Sequence, residues 1–512
     1  MSVPKRVLFL TNSEYGQANV VLAVAYALLH ASTDIEIHIA SFKVLGDAVR
    51  LLSDYALETA PEPKRSKGVI FHEINGQPYA RTPLTRETFD LKPSFYNTSR
   101  VLLAVPEVMT PWNPKEFTVI CEEVERILDE VQPDLTLVEP LFSPGLTICH
   151  DLGTIKWMVM APNTIKDFAV PVQPALAALW KYPLVCSALP FPLPWHLIPY
   201  NIALNLVAGY MVLTDKRVAD VSAAVKSRFG PGVQLITANE LGVLKAPPAG
   251  VRFLVANTAE LDYPFTRLPE YIIQCGPIVR ATKSLLEVDP GLHSWLERGP
   301  AVYINLGTYL TATADEAAEL AGALHDLLHE ADRIGYRTKG ARLRVLWKLG
   351  RKDRADEDGR PVQSSDQDWT GPWEKVASLL RAEMDTDRAR ITGWFTAEPK
   401  SIIESQNIIC SVHHGGASSF NEALCAGVPQ VLLPPWADCY DFANRAELLG
   451  VGVWANKNST PRWKRKELAS ALIKVILGPD SEGFKSKAAE FALKYPENSG
   501  RDKAAKEILQ AL

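Results

Sequence analysis

From Ser411 to Pro429 the chain reads SVHHGGASSFNEALCAGVP, its densest run of residues able to do chemistry. An apolar strand ends in two histidines and two glycines, and helical spacing follows from Ser419 to Ala426. A strand-to-helix turn of this kind directs unpaired N–H groups and the positive end of a helix dipole outward, which suits a diphosphate. Gly415 and Gly416 allow close backbone approach, and Ser418 and Ser419 supply hydroxyls. His414 can donate a hydrogen bond to a phosphate oxygen and, if protonated, offset its charge. Glu422, one turn into the helix, is ill placed for an anion but suits the vicinal hydroxyls of a ribose. Asp438 follows the next strand. Singly, each residue reads as part of an N-capped helix; together they read as a nucleotide site.

Such a turn needs a parallel sheet behind it. Short apolar runs alternate with helical patterns along the whole chain, the signature of βα units. The first series is RVLFLT, IEIHIASF, GVIFHEI, DLTLVEPL, KWMVMAP and FLVANT. The second is AVYINLGT, RVLWKLG, ARITGW, IICSVHHGG, PQVLLPP and VGVWAN. An α/β protein of two Rossmann-like, doubly wound domains facing each other across a cleft is expected. The first domain spans 1–262, a Pro-containing linker 263–290 and the second domain 291–480, with 481–512 as helices packing back on the first.

At 512 residues the chain is long enough for two cores. A net charge of −5 argues against a broad nucleic-acid surface. Seven scattered cysteines without CxxC pairs suggest neither zinc nor a disulfide framework, and a reducing, cytoplasmic setting fits. The acidic triplets 356–358 and 366–368 lie in an Asp-rich polar stretch where such spacing arises by chance, so no metal is assigned. Prolines break Tyr182–Thr214, leaving Ile198–Leu213 as its longest apolar run. That is short of the ~20 residues needed to span a bilayer. A buried or pocket-lining segment that also touches a membrane surface is expected. A dehydrogenase reading lacks a strand-linked GxGxxG, since Gly450 and Gly452 follow a helix.

The 411–429 stretch resembles the donor-binding signature of the family 1 glycosyltransferases, nucleotide-sugar enzymes of the GT-B fold. His414, Gly416, Ser418, Ser419, Glu422, Gly427 and Pro429 fall on its pattern. The resemblance covers most of the chain and is strongest for fungal small-molecule UDP-glucosyltransferases. It implies that His414 and the serines hold the diphosphate, Glu422 the ribose, and Asp438 hydroxyls of the sugar. Trp394 or Phe395 would stack on the uracil. Gly307 and Thr308 match the family's first donor-domain turn. Cys439 stands where many members carry a glutamine that touches the sugar. No cofactor is implied, since the UDP-sugar is itself a substrate.

On the acceptor side the family carries a Gly-His base steadied by an aspartate. Here Gln17 stands at the histidine position and Ser143-Pro144 near the aspartate. Glutamine has no usable basic lone pair. Two alternatives follow: Glu139 or Glu14 serves as base after burial, or the acceptor is acidic enough to need little help. The third alternative is a nucleotide-sugar-binding protein with little transfer. The apolar stretch holding Trp195 and Tyr200 is the expected wall for a lipophilic acceptor. The resemblance thus implies inverting transfer of a hexose, glucose first, from a UDP-sugar to a hydrophobic small molecule.

Overall fold

Val7 to Leu10 are buried on both faces, so the first strand has no polar alternation and must lie inside a covered sheet. The computed structural model describes all residues except 1–3, 62–66, 80–90, 154, 243–244, 339 and 356–367. The acidic triplets read from the sequence fall outside this set, apart from Asp368.

Seven parallel strands form the first sheet: β1 (Lys5–Leu10), β2 (Ile35–Ser41), β3 (Ile70–Glu73), β4 (Leu135–Val138), β5 (Trp157–Ala161), β6 (Phe253–Val255) and β7 (Ile272–Gln274), in spatial order 3-2-1-4-5-6-7. Six form the second: β8 (Ala301–Asn305), β9 (Arg344–Lys348), β10 (Ala389–Thr392), β11 (Ile408–His413), β12 (Gln430–Leu432) and β13 (Gly452–Trp454), in order 10-9-8-11-12-13. Both orders reverse direction at the first strand of the sheet, and ligands of such sheets bind at the carboxyl edge there.

The stretch 263–290, read as a linker, carries β7, which extends the first sheet through Phe253↔Ile272. Three residues between Pro269 and Pro277 are too few for period-2 alternation to register.

Helix α1 (Tyr15–Ala31) is apolar nearly all round because it lies between the first sheet and the last helix. That last helix (Ser499–Ala511) buries Ala504, Ala505 and Ile508 against it, so the chain ends on the first lobe. Among the other helices are α2 (Phe95–Met109), α3 (Ile198–Thr214), α4 (Ala417–Cys425) and α5 (Cys439–Leu448).

Helix α5 locks the lobes together. Lys166 pairs with Asp441 at 2.6 Å, and Arg445 with Asp262 at 2.7 Å, all four buried. Arg445 also donates to Thr164 at 2.8 Å, and Tyr263 to Asp441 at 2.9 Å. Buried charges are tolerable only when paired and hydrogen-bonded in this way. The lock holds Asp438, the residue preceding α5, against the first lobe.

Candidate active site

Four adjacent strands of the second sheet end at one level: His413 pairs with Asn305, Asn305 with Lys348, and Lys348 with Thr392. The backbone N–H of Gly415 donates to Nδ1 of His413 at 3.1 Å, so the ring proton sits on Nε2 and donates to Gln430 at 2.8 Å. His413 is thereby a structural brace. Burial pushes it down to about 4, so it is neutral at pH 7.

His414 is the residue this brace presents. A Cβ on Gly416 would lie 2.4 Å from its Nε2, and one on Gly307, where φ is +85°, would lie 2.9 Å from its Cε1. Only glycines at both places leave room for the ring, which brings Gly307 and His414 together. His414 Nδ1 is buried without a partner. Burial, then the neighbouring His413 and Lys348, push its pKa down to about 3. The ring is therefore a neutral hydrogen-bond donor, and the charge-offset role does not fall to it.

Gly416 opens α4, and Ser418 in its first turn accepts a hydrogen bond from Asn19 of α1 at 3.3 Å. This contact joins the acceptor lobe to the donor turn. Arg280 reaches Asn19 at 3.5 Å and Glu398 at 2.9 Å. Ser419 and Thr308 are half-buried in the same turns. Glu422 is held up at about 8 by burial first and Glu398 next, against Arg280 and Lys400. Asp438 is raised to about 6 by burial and Asp167. Cys439 is buried, and its carbonyl would lie 2.9 Å from a Cβ on Gly415.

The two aromatic candidates for the base are separated by the fold. Phe395 packs on Tyr303, ring centroids 6.1 Å apart, at the edge of an apolar cluster. Trp394 instead lies at the sheet edge, with Lys348 Nζ 4.2 Å from its ring centroid. Lys348 was not singled out in the sequence. A lysine closing the run Val345–Trp347, at the edge where ligands bind, was the available signal.

On the first lobe, β1 runs into Asn12, Ser13 and Glu14, and α1 begins at Tyr15. Glu14 is the N-terminal capping residue, yet its side chain does not cap the helix. Gln17 Oε1 is buried and without a partner. Glu139, just past β4, is 1% exposed. It accepts hydrogen bonds from Asn12 Nδ2 at 2.9 Å and the Leu141 N–H at 3.0 Å. Burial, aided by the charge of Glu14, pushes its carboxyl up to about 8 against these bonds. The charges of Glu139 and Glu14 both act on the buried Tyr79 and raise its pKa, so the two carboxylates share one neighbourhood.

The expected acceptor wall is corrected in part. Trp195 is 82% exposed, and α3 buries only Asn201 and Leu204. Tyr200 is half-buried against Phe95 of α2, centroids 5.8 Å apart. An apolar run shows that side chains avoid water, not which surface they meet. The part of the stretch that does face the interlobe region is earlier: Leu189 O accepts from Asn444 of α5 at 2.9 Å. A narrow cavity of about 10 Å³, room for no more than a single water, is lined by Thr98, Val101, Cys186, Trp436, Ala437 and Tyr440, with Leu91 and Pro93 at its side.

With this geometry in hand, comparison with known proteins is specific. The family described as erythromycin biosynthesis protein CIII-like, C-terminal domain, matches residues 403–498. Glycosyltransferase sdnJ of Sordaria araneosa is 32% identical over 461 residues, 88% of this chain and 83% of that protein. A UDP-glycosyltransferase of Talaromyces amestolkiae is 27% identical over 222 residues, 42% of this chain and 37% of that protein. A UGT transferase from Siraitia grosvenorii, solved in complex with UDP, shares the fold with a TM-score of 0.58 at 15% identity, covering 98% of this chain and 99% of that one. The chain belongs to the family 1 UDP-glycosyltransferases, enzymes of the GT-B fold.

Proposed function

We propose that the chain transfers a hexose, glucose in the first instance, from a UDP-hexose to a hydroxyl of a lipophilic small molecule. Transfer proceeds with inversion at the anomeric carbon and without a metal ion or other cofactor. Uracil stacks on Trp394, Glu422 accepts from the ribose hydroxyls, and Asp438 accepts from the sugar. Gln17 orients the acceptor hydroxyl and Glu139 takes its proton. The hydroxyl oxygen forms the new bond to the anomeric carbon from the face opposite the diphosphate. The bond from that carbon to the β-phosphate oxygen breaks, and its electron pair leaves with UDP. His414, Ser418, Ser419 and the N–H groups opening α4 stabilise the departing diphosphate.

The observation that carries this reading is Glu139: a carboxyl raised to about 8 on the lobe whose first helix touches the donor turn through Asn19 and Ser418. A general base works best with its pKa near the working pH. Seven free, buried cysteines suit a reducing cytoplasm.

The outer face of α3 supports contact with a membrane surface from which such an acceptor is drawn. Leu206, Tyr210 and Leu213 there are 64%, 64% and 74% exposed. The stretch Trp195–Phe229 is long and apolar enough to cross a membrane by length and composition. Its second half carries Lys216, Arg217, Asp220, Lys226 and Arg228, which favours lying on the surface over crossing it.

The test is mass spectrometry of products from UDP-glucose, UDP-galactose and UDP-glucuronate with a panel of phenols, sterols and terpenoid alcohols. A hexosylated lipophilic acceptor is expected. Release of UDP with no glycoside from any acceptor would contradict the reading.

A further inference from the structure

Lys348 is 9% exposed, yet its ammonium has no acidic partner among the described residues. Its Nζ donates to the Gly307 carbonyl at 3.3 Å and otherwise faces the Trp394 ring. A buried cation left without a counter-charge is costly, and such groups are kept where a ligand completes them. Three cations nearby are already paired: Arg280 with Glu398, Lys400 with Glu404 and Lys166 with Asp441.

The donor turn has the opposite deficit. His413 and His414 are both neutral, Ser418 and Ser419 offer uncharged hydroxyls, and a helix N-terminus is equivalent to only about half a positive charge. These donors leave most of the charge of a nucleotide diphosphate uncompensated.

We infer that Lys348 is the cation that receives the diphosphate of the nucleotide sugar, joining the strand-end lysine to the His414 turn as one anion site. This rests on the function proposed above and adds to it a charged donor-binding residue from β9. Gly307 is the shared element, with the Lys348 ammonium on its carbonyl and the His414 ring against its Cα. The positive charge is thus supplied by the protein where no divalent ion is used, and it is spent on phosphate rather than on uridine.

Calorimetric titration of the full-length chain with UDP, UMP and uridine tests this. Lys348→Met should weaken UDP binding on the order of 30-fold or more. Uridine binding should change by less than about threefold, with UMP between them. Lys348→Gln keeps a donor for Gly307 and loses only the charge, so it should show the same discrimination. Melting of the ligand-free variants should occur at or above the native temperature, because an unpaired buried charge has been removed. Equal losses for UDP and uridine, or unchanged UDP binding in both variants, would overturn the inference alone. A native chain that takes up no UDP would overturn the functional reading and the inference with it.

Discussion

At the carboxyl edge of the second sheet, His413 gives both ring nitrogens to neighbours, and Gly307 and Gly416 are shaped around a single imidazole. At the carboxyl edge of the first sheet, Asn12 Oδ1, Gln17 Oε1 and Ser143 Oγ are buried without partners. One edge has its shape fixed before any ligand arrives, with only His414 Nδ1 and the Lys348 ammonium left open for it. The other holds unspent hydrogen-bonding capacity beside two carboxylates, one of them raised to about 8. The finished edge fits a ligand of fixed shape, a nucleotide diphosphate. The unfinished edge fits an acceptor whose hydroxyl must be held and deprotonated. In the proposed reaction Gln17, standing where the family resemblance puts a histidine, leaves the proton to a carboxylate from a neighbouring strand.

Breaking the unfinished edge should have the greater consequence. Glu139→Gln is expected to lower turnover of an alcohol acceptor by about 10²–10⁴-fold, the usual contribution of a general base. UDP affinity, measured by calorimetry, should stay native. Native-like turnover would remove Glu139 from the reaction.

Breaking the finished edge should cost donor binding together with stabilisation of the leaving diphosphate. In Gly416→Ala the new methyl would meet His414 Nε2 at 2.4 Å, so the ring must leave its place. UDP affinity should fall by about tenfold or more while the circular-dichroism spectrum and melting stay close to native. Unchanged UDP affinity would show that the ring position does not matter to the donor.

A smaller effect sharpens the carboxylate pair. Glu14→Gln removes a like charge that helps hold Glu139 up. The base must be ionised to act, so activity should rise with pH, and in this variant the rise should begin at lower pH than in the native chain. An unmoved pH profile would mean the two carboxylates do not interact. Least of all should depend on the outer face of α3. Leu206→Asp is expected to reduce flotation with phosphatidylcholine–phosphatidylserine vesicles while leaving turnover of a water-soluble acceptor unchanged. Undiminished flotation would place the membrane contact elsewhere.

The donor edge was legible in the sequence because its logic is local. The strand, the glycines, the serines and the helix start lie within one short stretch, and backbone geometry alone brings them together. Glu139 could be named because it ends an apolar strand whose neighbours the parallel pattern implies, although its hydrogen bond from Asn12 crosses 127 positions. Lys348 was illegible for the converse reason. One lysine after Trp347 reads as solubilising until β8 and β10 are seen beside it. Trp195 was misread because hydrophobicity carries no direction, and β7 because three residues between prolines show no period. The charge lock of α5 joins residues far apart in the chain, which no spacing rule connects.

Proton removal by a raised carboxyl is the central step, and the pH dependence of kcat measures it most directly. With UDP-glucose saturating and an alcohol as acceptor, kcat reports groups in the loaded enzyme. It should climb as pH rises through about 8, the position to which burial brings Glu139. A kcat that is flat from about pH 6 to 9, or that falls across this range, would contradict proton removal by Glu139.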